Sequence, residues 1–396
     1  MEFNQNTGNI IHLDINSCFA TIEQQANPLL RDKPVVVCAY TTNSGCILAA
    51  SVTAKKLGIK TGMKVIDAKR IYPKVVVLEP DPPKYRFVHK KIFKILENYS
   101  LKVIPKSIDE FVFKILDGFD PILVSKEIKR RIKKEVGEYI TVSIGISTNR
   151  YLAKVASNLQ KPDGLSLINK DNFREVFSRL KLTDLTGIKN GNSTRLNLVG
   201  IKTVLDFYNS PLNKLKLAFG GIGGYYWYLR LKGYEIDNYQ SIRKTYSNSF
   251  APPPNMANDT FKILSKLTQK TGLRIRKAGF KISGVHLFLQ NRDGFTWHMG
   301  RKLKKDIFDS NDLFLEFKKL VGMSPIKNNL RNIAISTFGI KDKRMLQTEI
   351  FSDVVRKEIL NKSLDMINTK FGEYTIYPAR MINGNSMIKD RIAFGQ

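Results

Sequence analysis
Residues that usually build disulfide or zinc chemistry are scarce in this chain. Three cysteines, Cys18, Cys38 and Cys46, occur in 396 residues, with no CxxC pair. That excludes a disulfide framework and reads as reduced, core-type thiols of an intracellular chain. Histidine is almost as rare: His12, His89, His286 and His298 are scattered, without a zinc-like spacing. Any metal held here must use oxygen ligands. No apolar run reaches the roughly 18 residues of a bilayer span, so no membrane segment is expected. The opening "MEFNQNTGNIIHLDIN" lacks a basic start and a cleavable apolar stretch, so no secretory leader is expected there. Acidic residues are also short, at 35 Asp and Glu against 65 Lys and Arg, a formal net charge of +30. An excess of that size suits a polyanionic partner, although a membrane surface would attract it too.

The chain has ordinary hydrophobic content (42%) and room for several domains around real cores. "NIIHLDINSCFATIEQQ" starts as a strand and turns into a helix, and "KPVVVCAY" and "SGCILAAS" read as buried strands. "VTAKKLGIKTGM" reads as a short basic helix closed by Gly58, and residues 81–100 carry apolar positions at helical spacing. Strands and helices alternate through residue 161 with hairpin-like neighbours, which predicts an α+β sheet covered by helices on one face. From about 179 short helical pieces separated by glycine follow, then a polar, proline-bearing connector, "GYEIDNYQSIRKTYSNSFAPPP". The α+β texture returns from 246. Residues 241–350 hold 21 Lys and Arg against 8 Asp and Glu, so the basic excess is strong in this module.

The stretch "SIDEFVF" sets Asp109 and Glu110 between two apolar runs, and Asp14 ends the first strand. Neighbouring strands could bring the three carboxylates to one edge, where they would repel and raise one another's pKa. Divalent cations of the Mg²⁺ type would remove that cost and support in-line displacement at phosphorus. A lone Asp after a strand is also a common helix cap. Spacing alone leaves both readings open.

Five segments in order narrow the choice: "LDINSCFATIEQQANPLLRDKPVVV", "SGCILAASVTAKKLGIKTGM", "SIDEFVF", "TVSIGISTNRYLAKVASNLQKPDG" and "LTGIKNGNSTRLNLVGIKTVLDF". Together they resemble the Y-family translesion DNA polymerases, from about residue 10 to the end, with a tail similar to bacterial members. The resemblance implies a multidomain right-hand α+β architecture. A palm with inserted fingers would span 1–178 (fingers about 19–78), and a thumb with a helix-hairpin-helix 179–236. A linker would cover 237–245, a DNA-binding little-finger domain 246–346, and a tail 347–396. It implies a monomeric, cytoplasmic, nucleoid-associated enzyme that extends primer–template DNA with deoxynucleoside triphosphates, without proofreading.

The resemblance also implies roles. Asp14, Asp109 and Glu110 would be catalytic and, with the Ile15 carbonyl, would hold two Mg²⁺ ions. Phe19 would be the steric gate against ribose, although alone it reads more simply as core. Lys161 and Lys55 would reach the incoming triphosphate. Lys55 stands where many members carry arginine, which removes a bidentate fork. Val52 and Ala49 replace a common tyrosine and threonine, leaving Ser51 and Thr53 as nearby hydroxyls. The hairpin residues Gly187, Lys189 and Gly191 would meet a DNA phosphate, with Lys189 at the usual second glycine. Arg274, Arg276, Lys277, Lys281, Arg301 and Lys302 would meet backbone phosphates, although any one of them could be a solvated surface charge. Gln347, Ile350 and Phe351, in "QTEIF", fit a loose sliding-clamp docking pattern and equally a strand end. A nucleotidyl cyclase would share the carboxylates but would need neither the hairpin nor the basic module. A non-catalytic DNA-binding protein would need no acidic triad.

Overall fold
The computed structural model describes residues 1–237, 243–342 and 353–382. They divide into two compact units, one within 1–239 and one within 240–390. No helix among the described residues is long and apolar enough to cross a membrane.

In the first unit, period-two alternation sets the central sheet. Strand β1 (Ile10–Ile15) buries Ile11, Leu13 and Ile15 in one core, which leaves His12 and Asp14 on the opposite face. Next come α1 (Cys18–Ala26), β2 (Val35–Cys38), β3 (Ile47–Ala50), α2 (Val52–Lys56), α3 (Val65–Ile71), β4 (Val76–Leu78) and α4 (Pro82–Leu96). Asp81 caps α4 by accepting from Lys84 N, and prolines fill its first turn, where no N–H is needed. β5 (Val103–Pro105), β6 (Glu110–Lys114), α5 (Pro121–Arg131), β7 (Val142–Ser147), α6 (Arg150–Leu159) and β8 (Leu165–Leu167) follow.

The sheet runs β5-β6-β1-β7-β8, with β1 antiparallel to both neighbours. Helices α1, α4 and α5 cover its apolar face, where Ile22, Tyr85, Ile92 and Ile128 pack with Leu13, Phe111, Phe113 and Ile144. Helix α6 crosses the other face, so helices cover both faces and not only the one expected from the sequence. It comes so close that a Cβ on Gly145 would stand 2.0 Å from the Ala153 carbonyl oxygen. β2, β3 and β4 form a separate sheet, in the order β3-β2-β4, around Val36, Ile47, Ala54 and Val65. Helices α7 (Phe173–Arg179), α8 (Asn190–Leu198), α9 (Val204–Asn209), α10 (Leu212–Phe219) and α11 (Ile222–Leu231) share a core of Phe177, Leu196, Phe207 and Trp227 with Leu152 and Val155 of α6.

The second unit contains β9 (Tyr246–Phe250), α12 (Thr260–Lys277), β10 (Phe280–Asn291), β11 (Thr296–Ile307), α13 (Ser310–Met323), β12 (Leu330–Asp342) and α14 (Val354–Phe371). Its sheet is antiparallel throughout, in the order β11-β10-β12-β9. Leu287, Leu289, Ile333 and Ile335 share a core with Leu264, Phe317 and Leu320 of α12 and α13. Two strands depart from the sequence reading. β9 lies inside the stretch read as a polar connector, and β11 turns Trp297, Leu303 and Ile307 to the core, an alternation diluted by Arg301, Lys302, Lys304 and Lys305 at the sheet edge.

Candidate active site
Asp14 and Glu110 are Cα partners across β1 and β6, and Ile15 N donates to the Asp109 carbonyl at 2.9 Å. The three acidic residues therefore come from adjoining positions at one end of the sheet. Strand pairing through apolar neighbours on the covered face fixes their register. Each carboxylate has its own partner. Lys161 Nζ lies 2.8 Å from Asp14 Oδ2. Lys154 Nζ donates to both Glu110 oxygens, at 3.0 and 2.8 Å. Ser107 Oγ donates to Asp109 Oδ1 at 2.5 Å.

Burial pushes the Asp14 pKa up to about 6; Lys161 opposes this, while Asp109 and Glu110 add to it. Burial would also raise Glu110, but the hydrogen bond and charge of Lys154, with the charge of Lys161, hold it below the ordinary value. His12, beneath Glu110, is driven by burial to about 3 despite that carboxylate, so its ring is neutral. Its 3.8 Å approach to Glu110 Oε2 is accordingly not an ion pair.

Among the described residues no three His, Cys, Asp or Glu side chains stand close enough to form a metal-ligating group. The carboxylates are turned toward Lys161, Lys154 and Ser107 instead. Their chemistry nevertheless fits a hard divalent cation: three oxygen donors, mutually repelling and already countered by positive charge.

Lys55, at the surface of α2, has its pKa lowered by partial burial and by Lys161 and raised by Asp14, which places it in their neighbourhood. Ser51 is not free to donate to a ligand. Its buried hydroxyl donates to the Lys33 carbonyl at 3.4 Å and caps α2, accepting from Ala54 N at 3.1 Å and from Val35 N at 3.1 Å. Ala49 is buried beside Val37, with Phe19 packed against them. Phe19 is half-buried and stacked on Tyr85 at 4.5 Å between centroids. Tyr85 is held in turn by donating to Glu23 Oε1 at 2.9 Å.

The positions grouped as DNA contacts separate. Lys189 is exposed at the N-cap of α8, Gly187 has φ of +88°, and a Cβ on Gly191 would meet open space. In the second unit Lys277 and Lys302 are exposed. Arg276 forms a bidentate pair with Asp365 at 2.8 and 2.7 Å, and Arg301 Nη2 bonds Glu316 at 2.5 Å. Arg274 Nη1 donates to the Ser247 carbonyl at 3.0 Å, and buried Lys281 sits over the Phe308 ring. Charge alone could not distinguish these internal partners from a surface that meets phosphate. Gln347, Ile350 and Phe351 lie outside the described residues.

Lys154 and His12 were not singled out from the sequence. Lys154 carried a signal, since it is the one charged residue in the otherwise apolar and small "YLAKVASNL" of α6.

The model of the impB/mucB/samB family matches residues 13–158. A DNA polymerase IV of Pelotomaculum thermopropionicum is 28% identical over 96% of this chain and 97% of its own length. DNA polymerase IV of Clostridium acetobutylicum is 28% identical over 93% and 96%. A solved Y-family DNA polymerase chimera of Dbh and Dpo4 matches with TM-score 0.72 and 25% identity, covering 84% of this chain and 98% of its own. A ternary insertion complex of Dbh DNA polymerase matches in fold, with TM-score 0.58 and 24% identity over 84% and 98%.

Proposed function
We propose that this chain is a Y-family, DNA-directed DNA polymerase that extends primers past damaged template bases. One observation carries the proposal: Asp14, Asp109 and Glu110 adjoin on one end of a sheet, faced by Lys154 and Lys161.

Asp14, Asp109, Glu110 and the Ile15 carbonyl are the groups that would hold two Mg²⁺ ions. Those ions, when bound, supply charge stabilisation for the attacking primer hydroxyl and for the leaving pyrophosphate. Lys161 and Lys55 neutralise the incoming triphosphate; both are point charges, so the phosphates are held by charge more than by forked hydrogen bonds. Phe19, backed by the Tyr85 ring, presents an aromatic wall to the sugar and excludes a 2′-hydroxyl by contact. Lys154 holds Glu110 in its ionised form, ready to serve as a ligand.

In this reading residues 1–178 are the palm with its inserted fingers, 179–236 the thumb, and 246–346 the little finger. The N-terminus of α8, with Lys189, receives a duplex phosphate. Lys277 and Lys302 add backbone contacts in the basic unit, and the 347–351 segment docks on a sliding clamp.

Primer extension on undamaged and abasic templates, with DNA binding measured in parallel, tests the assignment. Template-directed extension on both supports it. Cyclic product without DNA would identify a cyclase instead, and binding without extension a scaffold.

A further inference from the structure
Lys161 stands on the turn 161–164, and two opposite grips hold that turn. On one side Lys129 Nζ donates to the Asp163 carbonyl and to the Gly164 carbonyl at 3.3 Å, while Lys133 Nζ bonds Asp163 Oδ2 at 3.0 Å. On the other side is Asn16, two residues beyond Asp14 and 4% exposed. Its Oδ1 accepts from Asp163 N at 2.8 Å, and its Nδ2 donates to Ser143 Oγ at 2.9 Å. Ser143 is fully buried, and its Oγ accepts from Gly164 N at 3.3 Å. The Asn16 backbone is fixed as well, with its N–H donating to the Thr141 carbonyl and its own carbonyl accepting from Thr21 Oγ1 at 2.7 Å.

We propose that Asn16, with Ser143, is a positioning residue that staples the 161–164 turn to the strand carrying Asp14 and so sets where the Lys161 ammonium meets the nucleotide. Neither group touches substrate. The amide is suited to the task because it accepts from the turn and donates to Ser143 at once. An apolar side chain would leave the Asp163 N–H and the Ser143 hydroxyl without these partners in a buried place. The grip of Lys129 and Lys133 would still hold the turn, so the chain folds, but Lys161 would lose its register to Asp14. The inference rests on Lys161 as a triphosphate contact.

The test is nucleotide affinity without turnover. A dideoxy-terminated primer–template, Mg²⁺ and the complementary deoxynucleoside triphosphate are titrated against the parent protein, Asn16→Leu, Lys161→Ala and the double variant. Asn16→Leu is expected to weaken nucleotide binding about tenfold with DNA affinity unchanged. The double variant is expected to bind no more weakly than Lys161→Ala alone. Ser143→Ala, which removes the second arm, is expected to weaken binding less, and it serves the same comparison if Asn16→Leu does not fold. Parent-like nucleotide affinity in both Asn16→Leu and Ser143→Ala, or additive losses in the double variant, overturns the staple alone. Unchanged affinity in Lys161→Ala overturns the role of Lys161 and the purpose of the staple with it.

Discussion

Lys161 Nζ lies 2.8 Å from Asp14 Oδ2. A strand-end carboxylate and a lysine from a turn 147 positions later thus neutralise each other in the absence of any other ion. The pair accounts for the survival of an acidic residue at a largely buried position, and it sets the terms on which a substrate or a cation must compete.

Asp14→Asn is expected to stabilise the protein in metal-free buffer, and more at pH 7.5 than at pH 5. Burial raises the Asp14 pKa from 3.8 to about 6. Between those values the folded state binds more protons than the unfolded one, so the carboxyl lowers stability as pH rises through that window. The penalty is complete above it and on the order of 2–3 kcal/mol. Thermal unfolding at the two pH values measures the difference. An equal gain at both, or a loss at pH 7.5, contradicts the assigned cause.

Phe19→Ala is expected to admit ribonucleotides. The ring stacks on Tyr85, which is fixed by Glu23, so its wall cannot retreat without rearranging the core of α4. Competitive incorporation of a ribonucleotide against its deoxy counterpart should rise by about tenfold or more, the scale of losing one specific steric contact. Unchanged sugar discrimination places the gate elsewhere.

Gly145→Ala is expected to destabilise the first unit by about 3 kcal/mol or more, because the new Cβ meets the backbone of α6 at 2.0–2.2 Å and backbone cannot swing aside. Denaturant unfolding checks this. Parent-like stability would mean that α6 does not lie against β7 as described.

Arg276→Ala and Lys302→Ala should differ in kind. The first removes one side of a bidentate, largely buried pair with Asp365 and is expected to cost about 2–3 kcal/mol of stability. The second removes an exposed charge, with little effect on stability and a drop of nearly one in the salt slope of DNA binding. A reversal of the two effects would assign Arg276 to DNA.

The elements legible in the sequence are those whose pattern is local. β1 alternates Ile11, Leu13 and Ile15 with His12 and Asp14, and "SIDEFVF" announces a strand with acids at its head. The helices α12 and α13 show their apolar stripes at helical spacing. What was not legible depends on partners far away in the chain. β11 is an edge strand whose alternating Trp297, Leu303 and Ile307 are masked by the basic residues between them. β9 pairs with β12 through backbone bonds that tolerate the polar "YSNSF". Arg276 and Lys281 read as surface charge until Asp365 and Phe308 are brought to them. Ser51 stands in the sequence only as a hydroxyl near the triphosphate positions, and the fold ties it to Lys33, Val35 and Ala54. Asn16 carries no local signal in the sequence, and only the fold shows that its amide reaches a turn 147 residues away.

The most direct measurement is primer extension by the variant carrying both Asp109→Ala and Glu110→Ala, with DNA affinity determined on the same preparation. Removing two of the three carboxylates should abolish nucleotide addition and leave primer–template affinity within about twofold of the parent, because the residues proposed to contact DNA are others. Extension that persists at a rate near the parent's would contradict the assignment of this acidic cluster as the catalytic centre.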